Sequence, residues 1–236
     1  MGAVSSRTRT LRPTARGVAA ALAATLLVGL PVTSVTGAPA ALAHAEMERS
    51  TPANGAVLSS PPASIRLAFG EAVELDAAGL VNGSGASVPS QASSASAGAA
   101  IVITPSARLA PGAYAATWKA TSDDGHVVTG AISFIVGARP RTGAAASVQT
   151  TPAVPIRLSG SRPGTLTASI GRPVQFGTLT WTSPQVPGPI TWRAGNGTSS
   201  QASGVLPVAG PWSVHAELVL AGGGILVVDG KVTLSG

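Results

Sequence analysis

The sequence contains no cysteine, which excludes disulfide bonds and thiolate metal ligands. Any bound metal must therefore be held by nitrogen, oxygen or thioether sulfur, and the fold must be stabilised by packing. Charged residues are scarce, at 10% of the chain, and aromatic residues are scarcer, at 3%. Four of the fifteen Lys and Arg residues precede residue 17, so the rest of the chain is nearly balanced in charge. This distribution predicts no basic surface for nucleic acid.

The N-terminal segment 1–43 has the three parts of a secretory signal peptide. Its four arginines precede an apolar run, Gly17–Leu30, and a small-x-small sequence ends at Ala43. The run is about 14 residues long, whereas a membrane-spanning helix needs roughly 20. We predict cleavage after Ala43; the alternatives are an uncleaved anchor or cleavage after Ala38 or Ala40. After residue 43 no apolar run is long enough to cross a membrane, so a periplasmic or extracellular protein is expected.

Cleavage after Ala43 would make His44 the first residue of the mature protein. Its α-amine and its imidazole Nδ1 could then hold one metal ion together as a chelate. If the leader stays attached or is cut elsewhere, His44 carries a peptide nitrogen and this chelate cannot form.

The remaining sequence is typical of an all-β protein, because its apolar segments are short, alternating and separated by turn residues. We predict a Greek-key, Ig-like β-barrel or sandwich followed by a second small β-sandwich. The predicted strands lie at 64–69, 100–104, 114–120, 131–136, 178–181, 190–192, 212–220 and 225–228. The polar stretch 82–98 is predicted to be a loop.

Apolar periodicity is lost from Gly137 to about Pro155, where Gly, Ala, Ser and Pro predominate. We therefore predict a first β-domain over 44–137, a linker over 138–155 and a second β-domain over 156–236.

A second histidine, His126, lies two residues after Asp124, with Gly125 between them. On an extended segment these two side chains would point to the same side. Together with His44 they offer three nitrogens and one oxygen, a set that suits Cu(II) best and zinc second. The alternative is a surface turn in which Asp124 caps backbone amides.

Several ordered motifs resemble the CopC family of copper-resistance proteins. They are His44-Ala45, Ser50-Thr51-Pro52-Ala53-Asn54-Gly55-Ala56, Pro62-x-x-Ile65-x-Leu67-x-Phe69-x-Glu71-x-Val73 and Gly112-x-Tyr114-x-x-x-Trp118-x-x-x-Ser122-x-Asp124-Gly125-His126-x-x-x-Gly130-x-x-x-Phe134-x-Val136. The resemblance covers 44 to about 137. It implies a seven-stranded Greek-key barrel outside the cytoplasm that holds Cu(II) through His44, Asp124 and His126.

The resemblance also implies that Glu71 hydrogen-bonds a ligand or a bound water beside the metal. The chain departs from Met-rich members of the family, because Met47 is the only methionine after the leader. A separate Cu(I) site is therefore not predicted. Tyr114 and Trp118 alternate with small residues and are predicted to be core.

The C-terminal half is less informative. The segment 206–214, Leu-Pro-Val-Ala-Gly-Pro-Trp-Ser-Val, resembles β-domains attached to the CopD copper-transport family, which would place this half beside a membrane copper transporter. The alternative is a β-domain that only spaces or stabilises. His215 has no local partner in the sequence and is not predicted to bind metal.

Three functions follow from these patterns. The first is an exported Cu(II)-binding protein that sequesters or delivers copper without catalysis. The second is a copper enzyme with a histidine brace like that of polysaccharide monooxygenases, which the Asp124 carboxylate disfavours because it stabilises Cu(II) and fills space that O₂ would need. The third is a metal-free envelope or adhesion protein.

Overall fold

The computed structural model describes residues 45–138, 143–195 and 199–236. Within these ranges all regular structure is β-strand, which confirms the all-β prediction. No helix in this part of the chain is long and apolar enough to span a membrane. The predicted leader, His44 and the middle of the predicted linker lie outside the described residues.

The first nine strands lie in the segment that ends at Val136. They are β1 (Met47–Thr51), β2 (Ala56–Leu58), β3 (Ile65–Phe69), β4 (Val73–Asn82), β5 (Ser87–Val88), β6 (Ser90–Ala95), β7 (Ala100–Pro105), β8 (Gly112–Ser122) and β9 (Val127–Val136). The four strands predicted here from alternation all form. In β3 the alternate residues Ile65, Leu67 and Phe69 are buried, because one face of the strand covers the core.

Two layers of strands enclose the core of this first half. One layer is a four-stranded sheet in the order β1-β3-β7-β6, and the other contains β5-β4-β8-β9, with β2 pairing β9. Ile65 and Ile101 from the first layer pack with Leu80 and Phe134 from the second. This layered arrangement places both ends of β8 and β9 at the rims of the core, where functional residues can be exposed.

The polar stretch 82–98 is not the predicted loop, because it contains β5 and β6. Strand β6 pairs with β7 over six residue pairs at the edge of its sheet. Its residues are half-buried or exposed, so they show no apolar alternation. All six of them nevertheless pair with β7.

The second half contains eight further strands. They are β10 (Ala146–Thr151), β11 (Ile156–Leu158), β12 (Gly164–Ile170), β13 (Val174–Ser183), β14 (Val186–Ala194), β15 (Gln201–Leu206), β16 (Gly210–Leu220) and β17 (Ile225–Leu234). Their pairing order is β13-β16-β17-β10-β11-β12-β15-β14, and β13 also pairs β14, so the ring of eight strands closes. Its core is built around three fully buried tryptophans, Trp181, Trp192 and Trp212.

The two halves share hydrogen bonds and core contacts. Strand β14 runs parallel to β9 with Ile190 opposite Ala131, and the Ser133 hydroxyl donates to the Val205 carbonyl at 2.7 Å. Strand β10 lies inside the segment predicted to be a linker, where it pairs with β11 and β17. The division of the chain into two domains at 138–155 stays a prediction.

Candidate functional site at one end of the first half

The chain next to His44 is held firmly at one end of the first half. Ala45, the first described residue, is only 2% exposed and belongs to the core. The Gly70 amide donates to the Glu46 carbonyl at 3.2 Å, which ties the start of the chain to the end of β3.

Asp124 and His126 lie in the tight turn that joins β8 to β9. The Gly125 amide donates to the Ser122 carbonyl at 2.8 Å, and the Ser122 amide donates to the His126 carbonyl at 2.9 Å. Gly125 has a φ of 83°, in the left-handed region that glycine adopts without the steric cost of a Cβ. The glycine between the two polar residues is therefore required by the turn, which presents both side chains to solvent.

The structure brings the Asp124 and His126 side chains into contact. Asp124 Oδ2 lies 2.8 Å from His126 Nδ1, and the side chains are 42% and 62% exposed. Asp124 Oδ1 accepts hydrogen bonds from the Ser122 hydroxyl and from the His126 amide, at 3.2 Å. One carboxylate oxygen thus caps the turn, as the alternative interpretation of the sequence proposes, while the other faces the imidazole.

The surroundings of Asp124 keep it ionised. The hydrogen bond from the Ser122 hydroxyl, and then those from His126, lower the pKa of Asp124 to about 2 because donors favour the charged carboxylate. At neutral pH the turn therefore offers a full negative charge beside an imidazole, which is the chemistry that a transition-metal cation requires.

Glu71 lies at the same end of the core. Val73 at the start of β4 pairs with Ser122 at the end of β8, so Glu71, two residues before Val73, lies at the same end of this strand pair as the β8–β9 turn. Glu71 Oε1 is buried and has no hydrogen-bond partner among the described residues. A buried carboxylate oxygen without a partner is costly, so this atom is suited to accept from a donor or to face a cation.

A cavity of ≈ 550 Å³ adjoins this end of the molecule. Ala45 and Met47 line it together with Val128 of β9, and Arg193 of β14 lines it from the second half. Val128 follows His126 by two residues, a distance of about 7 Å along a strand. The start of the described chain therefore lines the same cavity as the part of β9 that follows the Asp124–His126 turn.

The two aromatic residues that the sequence assigns to the core are buried. Trp118 is 8% exposed and packs edge-to-face on Phe69, with ring centroids 6.1 Å apart. Tyr114 is 6% exposed, and its hydroxyl donates to the Ala110 carbonyl at 2.8 Å. Burial raises the pKa of Tyr114. Both residues therefore belong to the core, as the sequence predicts.

Sequence reasoning missed the partners of His215, and the statement that it has no local partner is wrong. His215 Nδ1 lies 2.7 Å from Asp229 Oδ1, and Nε2 lies 3.5 Å from Glu217 Oε1. The signal for Glu217 was present, since residues two apart on a strand share a face. Asp229 required the hairpin register between β16 and β17, which pairs it with His215. No group of three or more His, Asp or Glu side chains among the described residues is arranged to hold a metal.

These features define an all-β protein with a histidine–carboxylate pair at one end of its first core. Residues 47–137, less than half of the chain, match the family model described as the CopC domain. No curated protein matches the chain.

Solved structures overlap the chain partially. CopC from Methylosinus trichosporium OB3b is 24% identical over 39% of this chain and 93% of its own, with a TM-score of 0.36. PcoC, a methionine-rich copper resistance protein from Escherichia coli, is 29% identical over 40% of this chain and 99% of its own, with a TM-score of 0.35. A tetra-tandem repeat of a large adhesion protein is 14% identical over 76% of this chain and 48% of its own, with a TM-score of 0.27. The family assignment rests on the domain match.

Proposed function

We propose that this chain is an exported Cu(II)-binding protein of copper resistance or homeostasis. It sequesters or delivers copper through His44, Asp124 and His126, and it performs no catalysis. The observation that carries the proposal is the 2.8 Å contact between Asp124 Oδ2 and His126 Nδ1 in the segment that matches the CopC domain model.

The spacing of the pair supports a shared metal ion. Two donors that each lie about 2.0–2.1 Å from one metal at right angles are about 2.9 Å apart. The observed 2.8 Å between Asp124 Oδ2 and His126 Nδ1 matches this separation. One Cu(II) ion can thus replace the direct contact between the two side chains with little movement of the turn.

His44 supplies the other two nitrogens if the leader is removed after Ala43. Ala45, the residue that follows His44 in the sequence, is buried in the core of the CopC-like half. Two imidazoles, an amine and one carboxylate form the nitrogen- and oxygen-rich tetragonal set that Cu(II) prefers. The predicted periplasmic or extracellular location follows from the same cleavage.

Glu71 completes the proposed site without binding the metal directly. Its buried Oε1 has no partner among the described residues, and it lies at the end of the core where Asp124 is placed. It would accept a hydrogen bond from the His44 amine or from a water on the metal. Such outer partners orient the ligands and strengthen their basicity.

The same ligand set argues against an oxidase or monooxygenase. Asp124 is ionised, and an anionic ligand stabilises Cu(II) relative to Cu(I). It also fills a position that O₂ would otherwise take. The second half, which resembles CopD-associated β-domains over 206–214, would present the copper domain to a membrane copper transporter.

Copper titration of turn variants tests the proposal. Asp124→Asn and His126→Ala should each weaken Cu(II) binding at this site at least tenfold, because each removes a direct ligand. Asp123→Asn is the matched control, since Asp123 is exposed and belongs to the same turn. Binding at full strength in His126→Ala, or equal losses in the Asp123 and Asp124 variants, would contradict the proposal.

A further inference from the structure

The second half carries its own histidine–carboxylate group, on the outer face of β16 and β17. His215 and Asp229 are directly paired across the two strands, and Glu217 follows His215 on the same face of β16. The three side chains are 48%, 73% and 65% exposed, so the group is open to solvent. None of these residues belongs to the site at the Asp124–His126 turn.

Asp229 fixes the orientation of the His215 ring. Its Oδ1 lies 2.7 Å from Nδ1, and an ionised carboxylate can only accept a hydrogen bond. In the neutral imidazole the proton therefore resides on Nδ1, which leaves Nε2 with its lone pair directed at Glu217. A carboxylate that holds one imidazole nitrogen while the other binds metal is a recurrent arrangement in metal sites.

The distance between Nε2 and Glu217 Oε1 leaves the two groups free to share a metal ion. Charge-assisted N–H···O contacts are about 2.7–2.9 Å long, whereas this separation is 3.5 Å. Two donors that each lie about 2.0–2.1 Å from a tetragonal ion at right angles are about 2.9 Å apart. A small rotation of the exposed Glu217 side chain would therefore bring both donors onto one ion.

The neighbourhood can complete the coordination of such an ion. A cavity of ≈ 740 Å³ beside His215 and Asp229 is lined mainly by side chains that can hold water, namely Gln149, Thr150, Thr151, Thr180, Thr182 and Ser213. Lys231, the cation that lines the same cavity, pairs with Ser213. It therefore lies about four residues, or roughly 13 Å along β16, from the position of Glu217. Among the described residues, Glu217 contacts Nε2 and Asp229 contacts Nδ1, while Lys231 is displaced from His215 by two strand positions, roughly 7 Å.

We propose that His215 Nε2 and the Glu217 carboxylate form a second Cu(II) site, with Asp229 as the positioning residue and water as the remaining ligands. An imidazole nitrogen selects a transition metal over Ca²⁺ or Mg²⁺, and Cu(II) leads the divalent affinity order. With two protein ligands, this site is weaker than the one proposed at the turn. The chain would then carry copper on both of its halves.

Cu(II) titration of the secreted full-length chain tests this site, read by electron paramagnetic resonance and by paramagnetic broadening of NMR signals. In a background that combines His126→Ala with an alanine placed before His44, which also removes the amine ligand of the first site, one Cu(II) ion should still bind and should broaden the signals of His215 and Thr180. Adding His215→Gln or Glu217→Gln should abolish that binding. Asp229→Asn should weaken it by about tenfold to a hundredfold. Glu74→Gln, an exposed strand glutamate of the first half, is the matched control and should change nothing.

The outcomes separate this inference from the proposed function. If the His126→Ala protein binds no copper while the unaltered chain binds one ion, the second site does not exist and the first survives. If copper binding is lost with His215→Gln but not with His126→Ala, the second site stands and the first fails. If His215 shows no broadening with copper, its carboxylate partners form only an ion pair, and the inference is overturned.

Discussion

The molecule places a histidine beside an ionisable carboxylate in two different ways. His126 contacts Asp124 across one glycine in a turn, whereas His215 contacts Asp229 across two strands, fourteen residues along the chain. The first pair depends on a single left-handed residue, and the second depends on the register of a long hairpin. The local sequence is therefore sufficient to predict the first pair but not the second.

The two histidine–carboxylate pairs also differ in the groups that surround them. The turn pair lies at the end of the core where Glu71 has a buried carboxylate oxygen without a hydrogen-bond partner among the described residues. The hairpin pair has Glu217 on its open side and a hydroxyl-lined cavity beside it. The comparison predicts a strong site that needs the N-terminal amine and a weaker site that does not.

The largest expected effect comes from blocking the amine. A single alanine placed before His44 converts the α-amine into a peptide nitrogen. Removing a residue that only hydrogen-bonds a metal ligand lowers metal affinity by about 10–100-fold. Loss of a direct ligand should therefore weaken copper binding at the turn at least about a hundredfold. Competition with a chelator of known strength measures this change. Copper binding at His215 should stay the same, and an unchanged affinity at the turn would contradict the role of the amine.

The next effect concerns the turn itself. Gly125→Ala forces a Cβ into a φ of 83° and should lower the free energy of unfolding by about 1–2 kcal/mol. A steric clash with neighbouring residues is not the cause, since no atom lies within 4 Å of the added Cβ. Gly222→Ala, between β16 and β17, is the control, because it meets the same open space without a left-handed φ. Equal destabilisation in urea unfolding would show that the turn strain is unimportant.

A smaller effect is expected on Asp124 in metal-free protein. Ser122→Ala removes the main cause of the lowered pKa, so the pKa should rise from about 2 towards its ordinary value of 3.8. Since the folded-state pKa is the lower one, the carboxylate stabilises the fold above pH 3.8, and this contribution is lost as the pH falls towards 2. Carboxyl NMR titration measures the shift. An unaltered pKa would assign the effect to His126 instead.

The smallest expected effect is a change in the pKa of His215 in metal-free protein. Asp229, and then Glu217, raise the pKa of His215, so Asp229→Asn should lower it towards 6.5. The protonated imidazole stabilises the fold below pH 6.5, and this contribution disappears as the pH rises through the raised pKa. Imidazole NMR titration measures it, with Glu217→Gln expected to give the smaller change. A larger change with Glu217→Gln would reverse the order of the two partners.

The strands that could be predicted are those that bury one face, because burial of one face requires apolar residues at alternate positions. Strand β3 is such a case, because Ile65, Leu67 and Phe69 must face the core. Strand β6 was missed because an edge strand of small polar residues is held by backbone pairing rather than by apolar side chains. Strand β10 was missed for a related reason, since Val148 is its single buried residue.

The histidine–carboxylate pairs differ in the same way, because a local pattern identifies only one of them. Asp124 and His126 could be found from spacing, because a single glycine separates them in the four-residue turn between β8 and β9. The closure of the second half through β13 and β14, and the pairing of His215 with Asp229, depend on register over long separations. No local pattern encodes such a register, so these features required the structure.

The most direct test of the central claim combines the intact mass of the secreted protein with the Cu(II) electron paramagnetic resonance spectrum of its first bound equivalent. The account predicts a mass that begins at His44 and a tetragonal, nitrogen-rich spectrum that disappears when His126 is replaced by alanine. A retained leader, or a spectrum that His126→Ala leaves unchanged, would contradict it.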